Sequence, residues 1–287
     1  MVVLQTVLNG LLTGGLYALI GIGMALVFGV MRIVNFAHGA LIMVGMYAAY
    51  FAFTLLGLSP YLGWLLSALL LFALGWLLYR GLIRPVMGQS DFMQILLTTG
   101  IWLALVDLAQ LAFGADYRQI NLALANAVVH LGPLTLSDGY LLSFAAAVLV
   151  IGLVYAFLYR TEIGRDVRAV AQNREVAPLM GIDVERVSAV AFALGAACAG
   201  AGGALLLPLF YLYPTVGDPL LLRSFVMVVL GGMGSVEGAA LGGLVLGVAE
   251  SLTGYFWTDS YSQVVDFLLF LAVLLVRPSG LLGRQRA

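Results

Sequence analysis

The sequence predicts an all-α polytopic membrane protein with about eight transmembrane helices, some of them broken or re-entrant. Of its 287 residues, 63% are hydrophobic and 9% charged, and the mean hydropathy is +1.08, whereas soluble domains carry about 25% charged residues. Uncharged stretches cover residues 1–31, 33–79, 139–159 and 187–217, and each can hold a span of about 20 residues. Transmembrane β-strands are only about 10 residues long and alternate in polarity, so helices are predicted.

The chain is interpreted as a single transmembrane domain, 1–287, with a cytoplasmic loop at 159–186. Many glycines fall at small-xxx-small spacing, which lets helix backbones pack closely in lipid; examples are Gly10/Gly14 and Gly243/Gly247. The predicted spans, in order, are 4–30, 35–56, 62–79, 92–113, 139–158, 187–210, a broken pair between 223 and 254, and 261–277.

The broken pair consists of Ser224–Gly234 and Gly238–Gly254, joined through a glycine-rich turn. Each piece is shorter than the roughly 20 residues that a span needs, so we expect that neither crosses fully. Half-length helices can meet at membrane depth where protein or a hydrated cavity covers their backbone groups. A hairpin of two short tilted helices is the alternative. The turn residues Gly232, Gly234 and Ser235 are candidates for the substrate pathway.

Arginine is distributed unevenly, and this predicts the orientation. All 13 Lys+Arg residues are Arg, and alternating the spans places eleven of them on one side, with Arg118 and Arg223 on the other. Short loops rich in basic residues stay cytoplasmic. We therefore expect a bacterial inner-membrane protein with its N-terminus outside, its C-terminus inside and residues 159–186 in the cytoplasm.

The missing lysine and the scarcity of other reactive side chains exclude several functions. A P-loop needs a lysine at the phosphates, so any ATP and magnesium that drive this protein are expected on a partner, with no cofactor on this chain. Two histidines and one cysteine make no credible metal cluster. No nucleophile, base and orienting group are apparent together, which argues against an enzyme. The net charge of −1 gives no indication of nucleic-acid binding.

The cytoplasmic loop has the composition of a docking element. Residues 160–186 contain five Arg and five acidic residues with apolar residues such as Val167 and Val170 between them. A loop that only faces water does not need an apolar face, whereas a short helix that docks on a partner does. Pro178 disfavours a helix running through this segment, so a break or a new helix start is expected there.

A second candidate region is the polar interruption Val34-Asn35-Phe36-Ala37-His38-Gly39. It lies either in a turn at the inner face or in a helix unwound within the membrane, where free N–H and C=O groups can bind a zwitterionic solute. Asn35, Phe36 and His38 are therefore candidate pathway residues, although a hydrogen-bonded structural histidine is the plainer interpretation of His38.

Three acidic residues, Asp107, Glu250 and Asp266, fall within predicted spans. A charge at the bilayer centre costs at least about 2.5 kcal/mol, so each must be paired, protonated or near water. The predicted topology places them in the outer half, where solvation at the interface explains them without a function. As a proton relay they would instead suit a secondary carrier.

Several segments together closely resemble the permease subunits of branched-chain amino-acid ABC importers. Within the cytoplasmic loop, Glu175, Ala177 and Gly181 hold the fixed places of the E-A-A-x-x-x-G signature of ABC importer permeases, written here EVAPLMG. The other matching segments are LNGLLTGGLYALIG at 8–21, VNFAHGALIMVG at 34–45, RVSAVAFALGAACAGAGGALL at 186–206 and VVLGGMGSVEGAALGGLVLGVAES at 228–251. Residues 191–194, Ala-Phe-Ala-Leu, depart from the Ile-x-Leu-Pro that often follows the signature.

The resemblance implies an ABC importer permease fold and a division of labour between chains. Glu175, Ala177, Leu179 and Gly181 would form a coupling element in a groove of the ATPase subunit. The expected partners are two ATPase subunits, a second permease expected to be a paralogue, an external amino-acid-binding protein and the lipid bilayer. A urea or short-amide permease of the same family is the alternative, and a proton-coupled amino-acid carrier is the alternative from another class.

The predicted orientation can be tested with single cysteines, since the only native one is Cys198. A cysteine in place of Ala123 should react with a membrane-impermeant maleimide from outside, and one in place of Gln172 should not. The opposite labelling would reverse the whole topology.

Overall fold

The computed structural model describes residues 1–122, 127–131, 134–277 and 279–282, so Ala123 lies outside the described residues. Within this part the chain forms ten α-helices and one small β-hairpin. Short π or 3-10 segments follow α3 (Tyr79–Ile83 and Arg84–Val86) and occur at Ala177–Met180 and Asp259–Tyr261. The elements are α1 Val2–Met31, α2 His38–Leu56, α3 Pro60–Leu78, α4 Asp91–Phe113, β1 Val128–Leu131, β2 Leu134–Ser137, α5 Asp138–Arg160, α6 Glu162–Gln172, α7 Val184–Leu206, α8 Gly217–Gly231, α9 Val236–Phe256 and α10 Ser262–Val276.

The predicted class, an all-α polytopic membrane protein, is confirmed. Within the described residues, seven helices are long and apolar enough to cross a membrane: α1, α2, α3 with its extension to Val86, α4, α5, α7 and α9. The apolar helix α10 is shorter, with 15 residues. The hairpin pairs Val128–Leu131 antiparallel to Leu134–Ser137 and was not predicted.

Helix α1 is the central element, and glycine lets it pack backbone to backbone. A methyl group on Gly14 would meet the α9 backbone at Gly243 and Leu244, and one on Gly247 would meet α1 at Gly10 and Gly14. Gly23 and Gly195 bring α1 and α7 together in the same way. The small-xxx-small interpretation of these glycines is therefore confirmed.

The prediction for the broken pair was half wrong. Helix α8 is short, with 15 residues, but α9 has 21 residues and is apolar enough to cross. It starts earlier than predicted because the Ser235 hydroxyl caps it, accepting a 3.0 Å hydrogen bond from the Gly238 N–H. Helix α8 also starts earlier, since Pro219 in the first turn of a helix needs no N–H partner.

The connection between α1 and α2 runs back along α1 instead of turning at its end. The backbone leaves α1 through Arg32, which has φ +56°, and α2 begins at His38, whose Nε2 lies 3.1 Å from the Ile20 carbonyl oxygen. Ile20 precedes Met31 by eleven residues, or about 16 Å of helix. Helix α2 thus begins beside the middle of α1, and there the Gly39 backbone contacts the Gly217 backbone at the start of α8.

Candidate coupling surface and translocation residues

The loop at 159–186 folds into a helix, a tight turn and a second helix start. Helix α6 is capped by Thr161, and α7 by Asp183, whose carboxylate accepts hydrogen bonds from two backbone N–H groups. Between them the Asn173 side chain accepts hydrogen bonds from the N–H groups of Glu175 and Val176. A 3-10 turn follows at Ala177–Met180. The predicted helix break near Pro178 is confirmed.

The tip of this loop, residues 175–181, presents apolar side chains to water, and we name it the coupling segment. Leu179 is 82% exposed and Met180 77% exposed, whereas Ala177 is buried and anchors the turn. Gly181 has φ +78°, a left-handed conformation that favours glycine, and space lies open around it. Large exposed apolar side chains in a charged loop are typical of a protein contact.

Two arginines attach this loop to the ends of membrane helices. Arg174 Nη1 donates a 3.1 Å hydrogen bond to the Met31 carbonyl at the end of α1, and Arg168 Nε donates a 3.0 Å bond to the Leu158 carbonyl near the end of α5. Cations at helix C-termini satisfy free carbonyls and complement the helix dipole. A displacement of the coupling segment would therefore act on both helices.

The candidate pathway residues fall into two separate groups. Asn35 and His38 are buried. The Asn35 side-chain oxygen Oδ1 accepts a 3.2 Å hydrogen bond from the Ala37 N–H, while Asn35 Nδ2 and His38 Nδ1 have no hydrogen-bond partner among the residues that the structure describes. Phe36 is half-buried, and its ring centroid lies 5.6 Å from that of Phe225 on α8.

The second group lies near the C-terminal end of α1. Gly232 and Gly234 have φ of +108° and +87°, and the Gly234 backbone packs against Gly29. Nine residues of α1 separate Gly29 from Ile20, about 13 Å of helix. Gly234 and Ser235 also line a cavity of about 860 Å³ together with side chains of α1, α5 and α6.

The acidic residues behave differently from the prediction. Glu250 of α9 accepts a 2.5 Å hydrogen bond from Arg223 Nε of α8 and a 2.9 Å bond from the Tyr17 hydroxyl of α1. Asp266 of α10 is fully buried, and its Oδ2 lies 3.7 Å from Arg223 Nε. Solvation at the interface therefore does not explain Glu250 and Asp266. Asp107 is exposed on α4.

Comparison with known proteins decides the family. The sequence matches the family described as "Branched-chain amino acid transport system / permease component" over residues 6–274. The chain belongs to this family. The high-affinity branched-chain amino acid transport system permease protein LivH of Escherichia coli (strain K12) is 35% identical, covering 98% of this chain and 96% of LivH. BraD of Pseudomonas aeruginosa has the same identity and coverage.

Two further similarities are more distant. The ribose import permease protein RbsC of Bacillus subtilis is 30% identical over 139 residues, 45% of this permease and 43% of RbsC. The solved structure of PsaBC from Streptococcus pneumoniae in complex with Fab matches with TM-score 0.50 and 13% identity, covering 94% of this chain and 91% of that chain. This last similarity concerns the fold alone.

Sequence reasoning missed the ion cluster because alternating the predicted spans placed Arg223 on the outer side, at the start of the broken pair. The sequence did contain a signal for this cluster. Arg223 is the only basic residue of the 15-residue helix α8, and two acidic residues follow it in apolar segments. An arginine inside a permease helix is tolerated when carboxylates face it, and here they come from the two following helices.

The cluster predicts a non-additive effect on stability. Glu250→Gln and Asp266→Asn each leave Arg223 one carboxyl group, whereas the double variant leaves a buried guanidinium without a counter-charge, at a cost of about 3–5 kcal/mol. Thermal unfolding in detergent should show the double variant losing far more stability than the sum of the single losses. Asp107→Asn, on an exposed side chain, is the control and should be neutral. Additive losses would contradict the shared counter-ion.

Proposed function

We propose that this chain passes branched-chain amino acids inwards as the membrane-spanning subunit of an ABC importer, using ATP hydrolysed by a separate subunit. The observation that carries the proposal is the coupling segment, which exposes Leu179 and Met180 to water and is anchored to α1 and α5 through the loop's arginines. LivH and BraD, which are named as branched-chain amino acid permeases and are similar over nearly the whole chain, support the solute class.

The partners follow from this role. An ABC permease works with an ATPase and a substrate-binding protein; we propose two ATPase subunits, one external amino-acid-binding protein and a second permease that is a paralogue of this chain. ATP and magnesium would bind to the ATPase subunits, since this chain contains no lysine for a P-loop. The coupling segment lies on the cytoplasmic side of the inner membrane in this proposal, with the N-terminus outside.

The solute pathway is proposed to pass the two groups of candidate residues. Phe36, beside the buried Asn35 and His38, precedes the N-terminus of α2 and packs against Phe225 of α8, and Gly232, Gly234 and Ser235 lie at the inner end. Helix N-termini favour a carboxylate, since the helix dipole is positive there. A urea or short-amide solute would have no carboxylate to use this feature.

A proton-coupled carrier is less well supported. Two of the three acidic residues that suggested it, Glu250 and Asp266, face Arg223, and Glu250 also accepts a hydrogen bond from Tyr17. This arrangement serves to hold α1, α8, α9 and α10 together. A carrier would also leave the exposed apolar side chains of the coupling segment without a use.

The coupling role predicts that Gly181→Trp separates folding from ATPase binding. Space around Gly181 is open, so the permease should still insert and remain monodisperse. Because losing a contact at an interface anchor costs about 2 kcal/mol or more, affinity for the ATPase should fall at least about tenfold. Co-purification of the ATPase and solute uptake per ATP hydrolysed measure this.

Gly57→Trp is the matched control. Gly57 also has a positive φ, +67°, and open space around it, but it follows the C-terminus of α2 and is not part of the coupling segment. It should suffer the same backbone strain and keep the ATPase. Gly181→Ala adds strain without bulk and should also keep it. If Gly181→Trp retains the ATPase and transports normally, the coupling assignment is wrong.

A further inference from the structure

An open cavity of about 860 Å³ lies between the end of α1, the end of α5, helix α6 and the turn before α9. Its volume falls within the roughly 300–1,000 Å³ of small-molecule sites, which are mainly apolar with a few placed polar groups. Part of its wall is α6, which belongs to the same cytoplasmic loop as the coupling segment. The cavity therefore lies between the loop that carries the proposed ATPase contact and the glycine-rich turn before α9.

One tyrosine in the wall holds a cation and an anion apart. The Arg168 guanidinium lies 4.3 Å from the centroid of the Tyr159 ring, while the Tyr159 hydroxyl donates a 2.7 Å hydrogen bond to Glu237 Oε1. Among the described residues Arg168 and Glu237 form no ion pair, and the Arg168 bond to Leu158 uses only Nε. The terminal guanidinium nitrogens and Glu237 Oε2 remain available to a ligand.

The rest of the wall contains the polar side chains of Gln172 and Ser235 and an apolar part that includes Leu26, Val30, Val167 and Met233. A ligand complementary to this cavity carries an anionic group for Arg168, a cationic group for Glu237 and an aliphatic part for the apolar side chains. We propose that the cavity binds a zwitterionic α-amino acid with an aliphatic side chain, with its carboxylate on Arg168, its ammonium on Glu237 and its side chain against the apolar wall.

This inference rests on the proposed function for the identity of the solute and places a binding site at the cytoplasmic end of its path. Helix α6 contributes Arg168 and also continues into the coupling segment. Occupancy of the cavity would therefore be sensed by the ATPase, because a ligand that favours one position of α6 shifts the equilibrium between its positions.

The test is binding of L-leucine to the purified permease in detergent, measured by equilibrium dialysis with labelled leucine. Leucinamide, which lacks the carboxylate, and 4-methylpentanoate, which lacks the ammonium, serve as competitors and should each compete at least about tenfold more weakly, because each loses one charge-assisted hydrogen bond. Urea, the solute of the alternative function, should not compete.

Two variants test the assignment of the charges. Arg168→Gln should weaken leucine at least about tenfold but leave leucinamide nearly unchanged, and Glu237→Gln should weaken leucine but not 4-methylpentanoate. Arg165→Gln and Glu162→Gln, exposed positions on the same helix, are controls and should bind leucine as wild type does. Ala171→Phe, which fills the cavity, should abolish binding.

The cavity proposal is wrong if wild-type permease shows no saturable leucine binding, or if Arg168→Gln and Glu237→Gln bind leucine unchanged. Uptake into proteoliposomes with the partner subunits separates this failure from that of the proposed function. ATP-driven leucine uptake without binding in the cavity removes only the cavity, whereas uptake of urea instead of leucine removes the solute class as well.

Discussion

The close packing of α1 against α7 and α9 is the interaction on which the rest of the structure depends. In lipid, helices gain little from the hydrophobic effect, so van der Waals contact between backbones and a few polar contacts must hold them. Gly10, Gly14 and Gly23 supply that contact from α1, with Gly195 and Gly247 facing them. This packing fixes the positions of Tyr17, Ile20 and Met31 relative to the neighbouring helices, and each of these residues makes a hydrogen bond at a different polar site.

Those sites follow from a second constraint, that polar groups within a bilayer need partners from the protein. Tyr17 donates a hydrogen bond to Glu250 of the Glu250–Arg223 pair, and the Ile20 carbonyl bonds His38 at the start of α2. The Met31 carbonyl accepts a hydrogen bond from Arg174 of the loop at 159–186. The C-terminal segment acts similarly, since the N–H groups of Leu281 and Leu282 bond the last carbonyls of α8. Helix α1 therefore contacts the ion cluster, the start of α2 and the loop that contains the coupling segment.

Much of the fold could be predicted because apolar length, glycine spacing and Pro178 are local signals. The α1, α4 and α5 spans and the break in the cytoplasmic loop came from such signals, and so did the docking character of Leu179 and Met180. The pairing of Arg223 with Glu250 and Asp266 could not, since it joins three helices and the alternation of predicted spans placed Arg223 on the outer side. The attachment of Arg174 to Met31, 143 residues away in sequence, and the cavity between α6 and the glycine turn likewise depend on tertiary packing.

The energy source of transport tests the central claim most directly, since the coupling segment is useful only to an ATP-driven importer. Permease, ATPase and binding protein would be reconstituted in proteoliposomes, and leucine uptake measured with ATP on the side of the coupling segment and, separately, with a pH gradient alone. The account predicts uptake that requires ATP and is unchanged when a protonophore collapses the gradient. Uptake driven by the gradient without ATP would contradict it and would assign the Arg223 cluster to proton coupling.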